Sequence, residues 1–469
     1  MEKVLNSVLR KVTPSGKEHE KADAMVQKVR AATDEVIKPH KMSHILAGSY
    51  TRGTYMPDKK EFDVFIMFPE DTPRQKLEKL GIEFGKKITR KLKGRHQIAY
   101  AEHPYVRSRV GQYAIDFVPC YKLKSADKIK SAVDRTPFHN RWLQSVFRPD
   151  LVPEVRLLKR FAKGIGVYGS DTRVLGLSGY LCELLIVHYG SFRAFLRECS
   201  KWEAGQVFID PERHHHAPEE ILPRFKGQPL VVIDPVDPKR NVAAAVSPAN
   251  FAKLVDSCRR FMKKPSSRFF FPPARKITLG RIEKEVKKRK TLMLGITFRQ
   301  PQVIQDVLWP QLRRAAKRLR DIMEEYEFHV VGYDVWSDPE FTKGECLILL
   351  EMEVWDLPNV RRIVGPRTHV KRHSESFLKK YRPLGRILVD DEGRWVAEVP
   401  RKWKQAEAKM RDSLSDSLKV LREKGIPSYV AKSVSKDFRL LKLDGILKLV
   451  KRKKETGGFI MEYFEKEVL

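Results

Sequence analysis

The sequence predicts an α+β protein of several domains, and three observations predict it. The chain has 469 residues, more than one core organises at roughly 150 residues per domain. Hydrophobic residues make up 42% of it, enough for true cores rather than a disordered chain. The local pattern also changes along the chain, from mixed strands and helices to a mainly helical stretch, to a long helix among strands, to a basic helical end. The changes divide it into 1–150, 151–265, 266–400 and 401–469.

In order, Thr13-Pro14-Ser15 reads as a helix start, with Thr13 capping and Pro14 in the first turn, and the helix runs to about Val36. A strand follows at Ser43 to Ala47, then a Gly-containing turn from Gly48 to Thr54, then a strand at Glu61 to Phe68. Pro73 to Lys93 has helical spacing, and strands are expected at Ile98 to Ala101, Tyr105 to Val110 and Gly111 to Val118. Apolar faces at Val155 to Ala162, Leu181 to Val187 and Phe251 to Phe261 make the middle helical. After Phe271-Pro272-Pro273 the pattern is strand (Thr291 to Phe298), long helix (Gln302 to Tyr326), strand (Phe328 to Trp336) and strand (Glu345 to Val354). A further helix and strands at Arg386 to Val389 and Arg394 to Val399 follow. One long helix on an antiparallel sheet is a ferredoxin-like or RNA-recognition-like plan. From Trp403 onward the chain reads as helical and basic.

Charge narrows the partners. Lysine and arginine total 92 against 59 acids, a net charge of +33. A polyanion is the natural counterpart, and nucleic acid comes first because each neutralised phosphate releases a counterion. No run approaches the ~20 apolar residues of a spanning helix, and Met1 to Arg30 lacks a signal-peptide core. The expectation is a cytoplasmic protein with no membrane partner. Cys120, Cys182, Cys199, Cys258 and Cys346 are scattered without a CxxC spacing, which argues against disulfides and a zinc site.

The chemistry concentrates between Gly48 and Asp116. Glu61 and Asp63 are two apart on a strand, so they share a face. Two neighbouring carboxylates repel unless a cation lies between them, and oxygen ligands of this hardness suit Mg2+. Asp116 lies in the apolar run Ala114-Ile115-Asp116-Phe117-Val118, where a lone acid needs a partner and a shared metal supplies one. Three such carboxylates can hold two metals, one for an attacking hydroxyl and one for leaving phosphates. In the turn, Gly48 and Gly53 let backbone approach a phosphate, Ser49 offers a hydroxyl and Arg52 a fork of charged donors. Alternating acids on an edge strand would explain Glu61 and Asp63, but not Asp116.

Gly48-Ser49 with Arg52-Gly53-Thr54, then Glu61-x-Asp63, then Asp116, resembles the DNA polymerase β-like nucleotidyltransferase superfamily. Further segments narrow the likeness: Arg135-Thr136-Pro137-Phe138-His139, Val155-Arg156-Leu157-Leu158-Lys159, Gly166-Val167-Tyr168-Gly169-Ser170, Leu177-Ser178-Gly179-Tyr180-Leu181-Cys182-Glu183 and Asp234 to Ala243. In this order they resemble the class I, archaeal CCA-adding enzymes. The likeness is motif-deep over the first ~260 residues and one of plan beyond them.

The resemblance implies a polymerase β-like head, a helical neck, a body and a helical tail. It implies Glu61, Asp63 and Asp116 as magnesium ligands, with Asp116 helping to deprotonate an RNA 3′ hydroxyl. Ser49 and Arg52 would hold a triphosphate, and Thr136, His139, Lys159 and Tyr168 would add triphosphate and sugar contacts. Arg240 would help select C or A over G and U. The implied substrates are CTP, ATP and the acceptor arm of tRNA, with a homodimer left open. A poly(A)- or oligoadenylate-type polymerase shares the carboxylates and the turn, and a non-catalytic RNA binder is the rival of another class.

Plainer roles stand beside these. Lys159 shares its helix with Arg156, Arg160 and Lys163, a solvated basic face. His139 can be an interfacial polar residue, and Tyr168 can pack beside glycines. Asp234 and Asp237 read as caps of a turn before a helix at Val242, and His214-His215-His216, flanked by prolines, as a surface loop.

Overall fold

The computed structural model describes residues 1–58, 60–100, 102–273, 277–339 and 344–465. They divide at residue 274 into two compact units.

The first unit opens with α1 (Glu2–Val12), which buries Leu5, Val8 and Val12 along one face, and α2 (Gly16–Ile37). The cap of α2 is Ser15, not Thr13, which instead closes α1. Glu18, three residues after Ser15, explains the choice: its carboxylate accepts from the Ser15 N–H at 2.8 Å while the Ser15 hydroxyl accepts from the Glu18 N–H, a reciprocal pair Thr13 has no partner for.

Strands β1 (Ser43–Ala47) and β2 (Glu61–Phe68), helix α3 (Arg74–Lys91), and strands β3 (Arg95–Tyr100), β4 (Pro104–Val110) and β5 (Tyr113–Tyr121) follow. The sheet order is β1-β2-β5-β4-β3, with β2 and β5 parallel and the other neighbours antiparallel. Gly111 and Gln112 form the β4–β5 turn rather than opening a strand, and the expected strand end at Ala101 lies outside the described residues. Alternation on β2 sends Phe62, Val64, Ile66 and Phe68 into a core with Leu77, Phe84, Ile88, Ile115 and Phe117. The opposite face carries Glu61 and Asp63 at its start, then Phe65 and Met67, with Phe65 buried beside Ala47, Val118 and Cys120.

Helices α4 (Arg135–Val146), α5 (Leu151–Gly164), α6 (Gly179–Tyr189) and α7 (Phe192–Cys199) come next, then β6 (Val207–Ile209), β7 (Leu230–Asp234), β8 (Asp237–Asn241) and α8 (Pro248–Lys263). The stretch read as mainly helical thus also holds a small sheet, β6-β7-β8. The helix expected at Val242 starts at Pro248 because Ser247 is the residue that caps it. Phe161, Phe192, Phe261 and Phe270 pack edge to face in the core of this region.

The second unit contains α9 (Leu279–Arg289), β9 (Leu292–Arg299), α10 (Gln305–Glu324), β10 (Val330–Ser337), β11 (Glu345–Met352), β12 (Val360–Arg367), α11 (Lys371–Tyr381), β13 (Arg386–Val389) and β14 (Arg394–Pro400). It continues through α12 (Ala406–Leu414), α13 (Leu418–Glu423), α14 (Ser428–Val434), β15 (Phe438–Leu441), α15 (Leu443–Arg452) and α16 (Lys454–Phe464). The main sheet runs β10-β11-β9-β15, antiparallel throughout, with α10 in its core. That is the expected ferredoxin-like plan, with its last edge strand drawn from a stretch that reads only as helical. A second sheet, β12-β14-β13, carries α11 on one face through Phe377, Ile363 and Ile387. Trp403 packs against Tyr326 and Lys409, and Trp395 beside Phe377.

Candidate active site

Asp63 and Asp116 lie side by side on the face of the first sheet opposite its main core. Asp63 on β2 is the register partner of Asp116 on β5, while Glu61 is level with Ala114. Parallel partners point the same way, so both aspartates and Glu61 share one face. Asp116 is paired by Arg107 of β4, whose Nε donates to Oδ1 at 2.9 Å and Nη2 to Oδ2 at 2.7 Å. That bond holds the guanidinium even more basic than usual. Among the described residues no three acids, histidines or cysteines form a cluster ready for a metal. The structure thus brings Asp63 and Asp116 level but does not gather the three expected carboxylates into one cluster, and the partner of Asp116 is Arg107 rather than a shared metal. The donor set still fits a hard divalent ion: all oxygen, on one face, with a displaceable arginine that is 47% exposed.

The β1–β2 turn lies directly over Asp63. Gly48 has φ of +89°, and a Cβ there would sit 2.6 Å from Asp63 Oδ2, so the close approach and the left-handed backbone both require glycine. The Gly53 and Thr54 N–H groups donate to the Tyr50 and Ser49 carbonyls, and the Thr51 hydroxyl donates to the Gly48 carbonyl. These bonds fold the turn tightly and send Arg52 toward a cleft of about 1180 Å³.

That cleft gathers the residues singled out from the sequence. Ser49, Arg52 and Asp63 come from the sheet side, Thr136 and His139 from α4, Lys159 from α5, Tyr168 from the loop after it and Arg240 from β8. Glu61 and Asp116 are not among its walls.

Two buried acids organise the cations, and the sequence reading gave neither a role at the site. Glu183 on α6 accepts from Lys159 Nζ at 2.8 Å, from Arg52 Nε at 2.9 Å and Nη2 at 2.7 Å, and from the Thr54 hydroxyl at 2.5 Å. Lys159 is therefore not part of a solvated face: its side chain is 3% exposed. Burial alone would raise the Glu183 carboxyl; the charges of Lys159 and Arg52, with the hydrogen bonds, hold it below the usual range.

At the other end Asp234, fully buried, accepts from His139 Nε2 at 2.8 Å and from Arg240 Nη1 at 2.6 Å. Burial again opposes ionisation, and the His139 bond and the neighbouring charges overcome it, so Asp234 too is lowered. The acid does cap a turn, accepting from the Val236 N–H at 3.1 Å, but it also joins two cleft residues. The His139 ring stacks on Tyr180 at 4.3 Å, which fixes its plane. The histidine loop has work as well: His214 Nε2 donates to the Pro235 carbonyl at 3.0 Å and His215 Nε2 to that of Pro238 at 2.9 Å. The β7–β8 hairpin that carries Asp234 and Arg240 is thereby held from behind.

Comparison with known proteins is decisive over nearly the whole length. A nucleotidyltransferase domain matches residues 28–139, the second domain of tRNA nucleotidyltransferase matches 153–271, and the C-terminal domain of CCA-adding enzyme matches 289–442. The CCA-adding enzyme of Methanosarcina barkeri is 35% identical over 450 residues, 94% of each chain. The chain belongs to the CCA-adding enzyme family. The family's member from Archaeoglobus fulgidus is 38% identical over 88% of this chain and 90% of its own, and that from Halobacterium salinarum 39% over 83% and 82%. Among solved structures, the Cid1 poly(U) polymerase overlays 56% of this chain at 14% identity with a TM-score of 0.44. For this family the head is the nucleotidyltransferase domain, and the cleft lies among residues of that domain and the one after it.

The two acids had a signal in the sequence. Glu183 interrupts Leu181-Cys182-Glu183-Leu184-Leu185-Ile186, and Asp234 ends Leu230-Val231-Val232-Ile233-Asp234. A lone acid in an apolar run needs a buried partner, the same argument that singles out Asp116.

Proposed function

We propose that this protein builds and repairs the 3′-terminal CCA of tRNA, using CTP and ATP without a nucleic-acid template and releasing pyrophosphate. The observation that carries the reading is the single cleft in which Ser49, Arg52, Lys159 and Tyr168 meet His139, Arg240 and Asp63.

In this reading the 3′ oxygen of the RNA attacks the α-phosphorus of the nucleotide. A P–O bond forms, the bond to the β-phosphate breaks, and pyrophosphate leaves. Asp116 takes up the hydroxyl proton. Ser49 and Arg52 hold phosphate oxygens together with Lys159, and Thr136, His139 and Tyr168 fix sugar and triphosphate. Arg240, steadied by Asp234, reads the base edge with the RNA end itself. Bound divalent ions, Mg2+ in this proposal, would be held by Glu61, Asp63 and Asp116 and would supply charge stabilisation for the attacking and leaving oxygens. Arg107 must then release Asp116.

Residues 1–150 would carry catalysis and 151–265 the neck. Residues 266–400 and 401–469 would grip the acceptor arm and measure its length. No helix among the described residues is long and apolar enough to cross a membrane. The test is extension of radiolabelled tRNA lacking its end, with each nucleotide offered singly and together. CTP then ATP should add three nucleotides and stop. Long tails from ATP alone would instead support a poly(A)-type polymerase, and no incorporation from any nucleotide would support a binding protein.

A further inference from the structure

Glu183 is fully buried on α6 and touches two cations, Arg52 and Lys159, that arrive from different parts of the chain. We propose that Glu183 is a positioning residue for nucleotidyl transfer: its carboxylate, 1% exposed at the wall of the cleft and taken up by bonds to Arg52, Lys159 and Thr54, acts by aiming Arg52 and Lys159 and by setting the net charge they present. The proposal rests on the reading that these two cations hold the triphosphate.

Burial comes first. The side chains of Arg52 and Lys159 are 9% and 3% exposed. Charges this enclosed need a counter-ion in the protein before any nucleotide arrives, and Glu183 is that counter-ion. Donor geometry comes second. An ammonium has three N–H donors and a guanidinium five. Lys159 donates to Thr54 Oγ1 and Glu183 Oε1. Arg52 donates through Nε and Nη2 to Glu183 and through Nη1 to Asn140 Oδ1 at 3.1 Å. With those directions fixed, the donors left over on both residues are the ones available to the cleft, which both line. Neither side chain can swing without breaking a buried bond.

Charge comes third. Two cations alone would present +2 to the phosphates; with Glu183 the cluster presents +1. A carboxylate therefore weakens the hold on free polyphosphate while sharpening its direction, which favours departure of pyrophosphate. Glycine at 179 makes the assembly compact: a Cβ there would lie 3.2 Å from the Tyr168 hydroxyl and 3.8 Å from Lys159 Nζ.

The test is Glu183→Gln, which keeps the shape and removes the charge. The kcat for CMP addition should fall about 10- to 100-fold, the scale of a small misplacement at a reacting centre. Inorganic pyrophosphate should inhibit several-fold more tightly, and Glu183→Asp should recover part of both. A brace that merely holds the fold would lower the melting temperature without moving these two quantities in opposite senses. Unchanged kcat and pyrophosphate inhibition, with or without a lower melting temperature, overturns the proposal. If Glu183→Gln does not fold, Thr54→Val removes the hydroxyl between Lys159 and Glu183 at constant charge; kcat should then fall several-fold while pyrophosphate inhibition stays as in wild type, and an unchanged kcat overturns the proposal. Arg52→Gln separates the two levels. If it leaves CTP affinity untouched, the triphosphate reading has failed and this proposal with it.

Discussion

Asp63 and Asp116 stand level on neighbouring parallel strands, and the second of them is already clasped at both oxygens by Arg107. The arginine therefore competes with any divalent ion for that carboxylate. Arg107→Met should raise the affinity of the nucleotide-free protein for Mn2+ by about three- to tenfold, the value of a partly exposed charged pair. Calorimetric titration reads this directly, and an unchanged binding constant would mean Arg107 does not compete.

Asp116→Ala should abolish transfer while tRNA affinity stays nearly constant, since in the proposed reading the RNA is held by lysines and arginines rather than by this carboxylate. Single-turnover extension and a filter-binding titration check the two halves. Full activity in this variant would refute its catalytic role.

Gly48→Ala should damage chemistry more than folding. The left-handed backbone costs a non-glycine residue about 1–2 kcal/mol, and the new methyl would press on the Asp63 carboxylate. We expect a modest loss in urea midpoint together with a fall in kcat of about tenfold or more. Equal kcat in the two proteins would show that Asp63 has room to move.

The hairpin behind Arg240 should govern base choice. His215→Ala removes the bond to the Pro238 carbonyl, and Asp234→Asn weakens the hold on Arg240. Both variants should misincorporate UTP more often relative to CTP, and Asp234→Asn more than His215→Ala. Competition assays on tRNA ending at the discriminator base measure the ratio; wild-type fidelity in both would remove the hairpin from selection.

Acid should expose the two buried carboxyls. Glu183 and Asp234 are both lowered when folded, whereas unfolded they titrate near pH 4. The unfolded chain then binds more protons as the pH drops. The stability these groups confer is complete above about pH 5 and is lost as the pH falls through their folded values. Denaturation midpoints of wild type should approach those of Glu183→Gln progressively as the pH falls below about 5. A gap independent of pH contradicts the ionised assignment.

What the sequence reveals depends on where each signal is stored. The carboxylate strand is legible because its other face is wholly apolar, so Glu61 and Asp63 stand out by alternation. β3 is legible only in its second half, from Ile98: Arg95, His96 and Gln97 are exposed, and their pairing is set by β4 rather than by burial. β12, with Arg361 and Arg362 at its exposed start, hides for the same reason. The cleft residues follow from motif order, but their partners do not. Arg52 and Glu183 are 131 positions apart, His139 and Asp234 are 95, and only the fold makes either pair. Arg107 likewise becomes visible only once β4 lies beside β5.

The sheet of the second unit is finished by its latest strand. Phe438 on β15 lies opposite Phe298 on β9, so a ribosome must deliver the chain past Leu441 before β9 loses its open side. Until then residues 295–298 present unpaired amides beside the apolar side chains of Ile296 and Phe298, a ready template for a stray strand. A premature stop before Phe438 would thus yield a sticky polypeptide rather than a merely shortened enzyme, and the cell would meet it first as an aggregation problem.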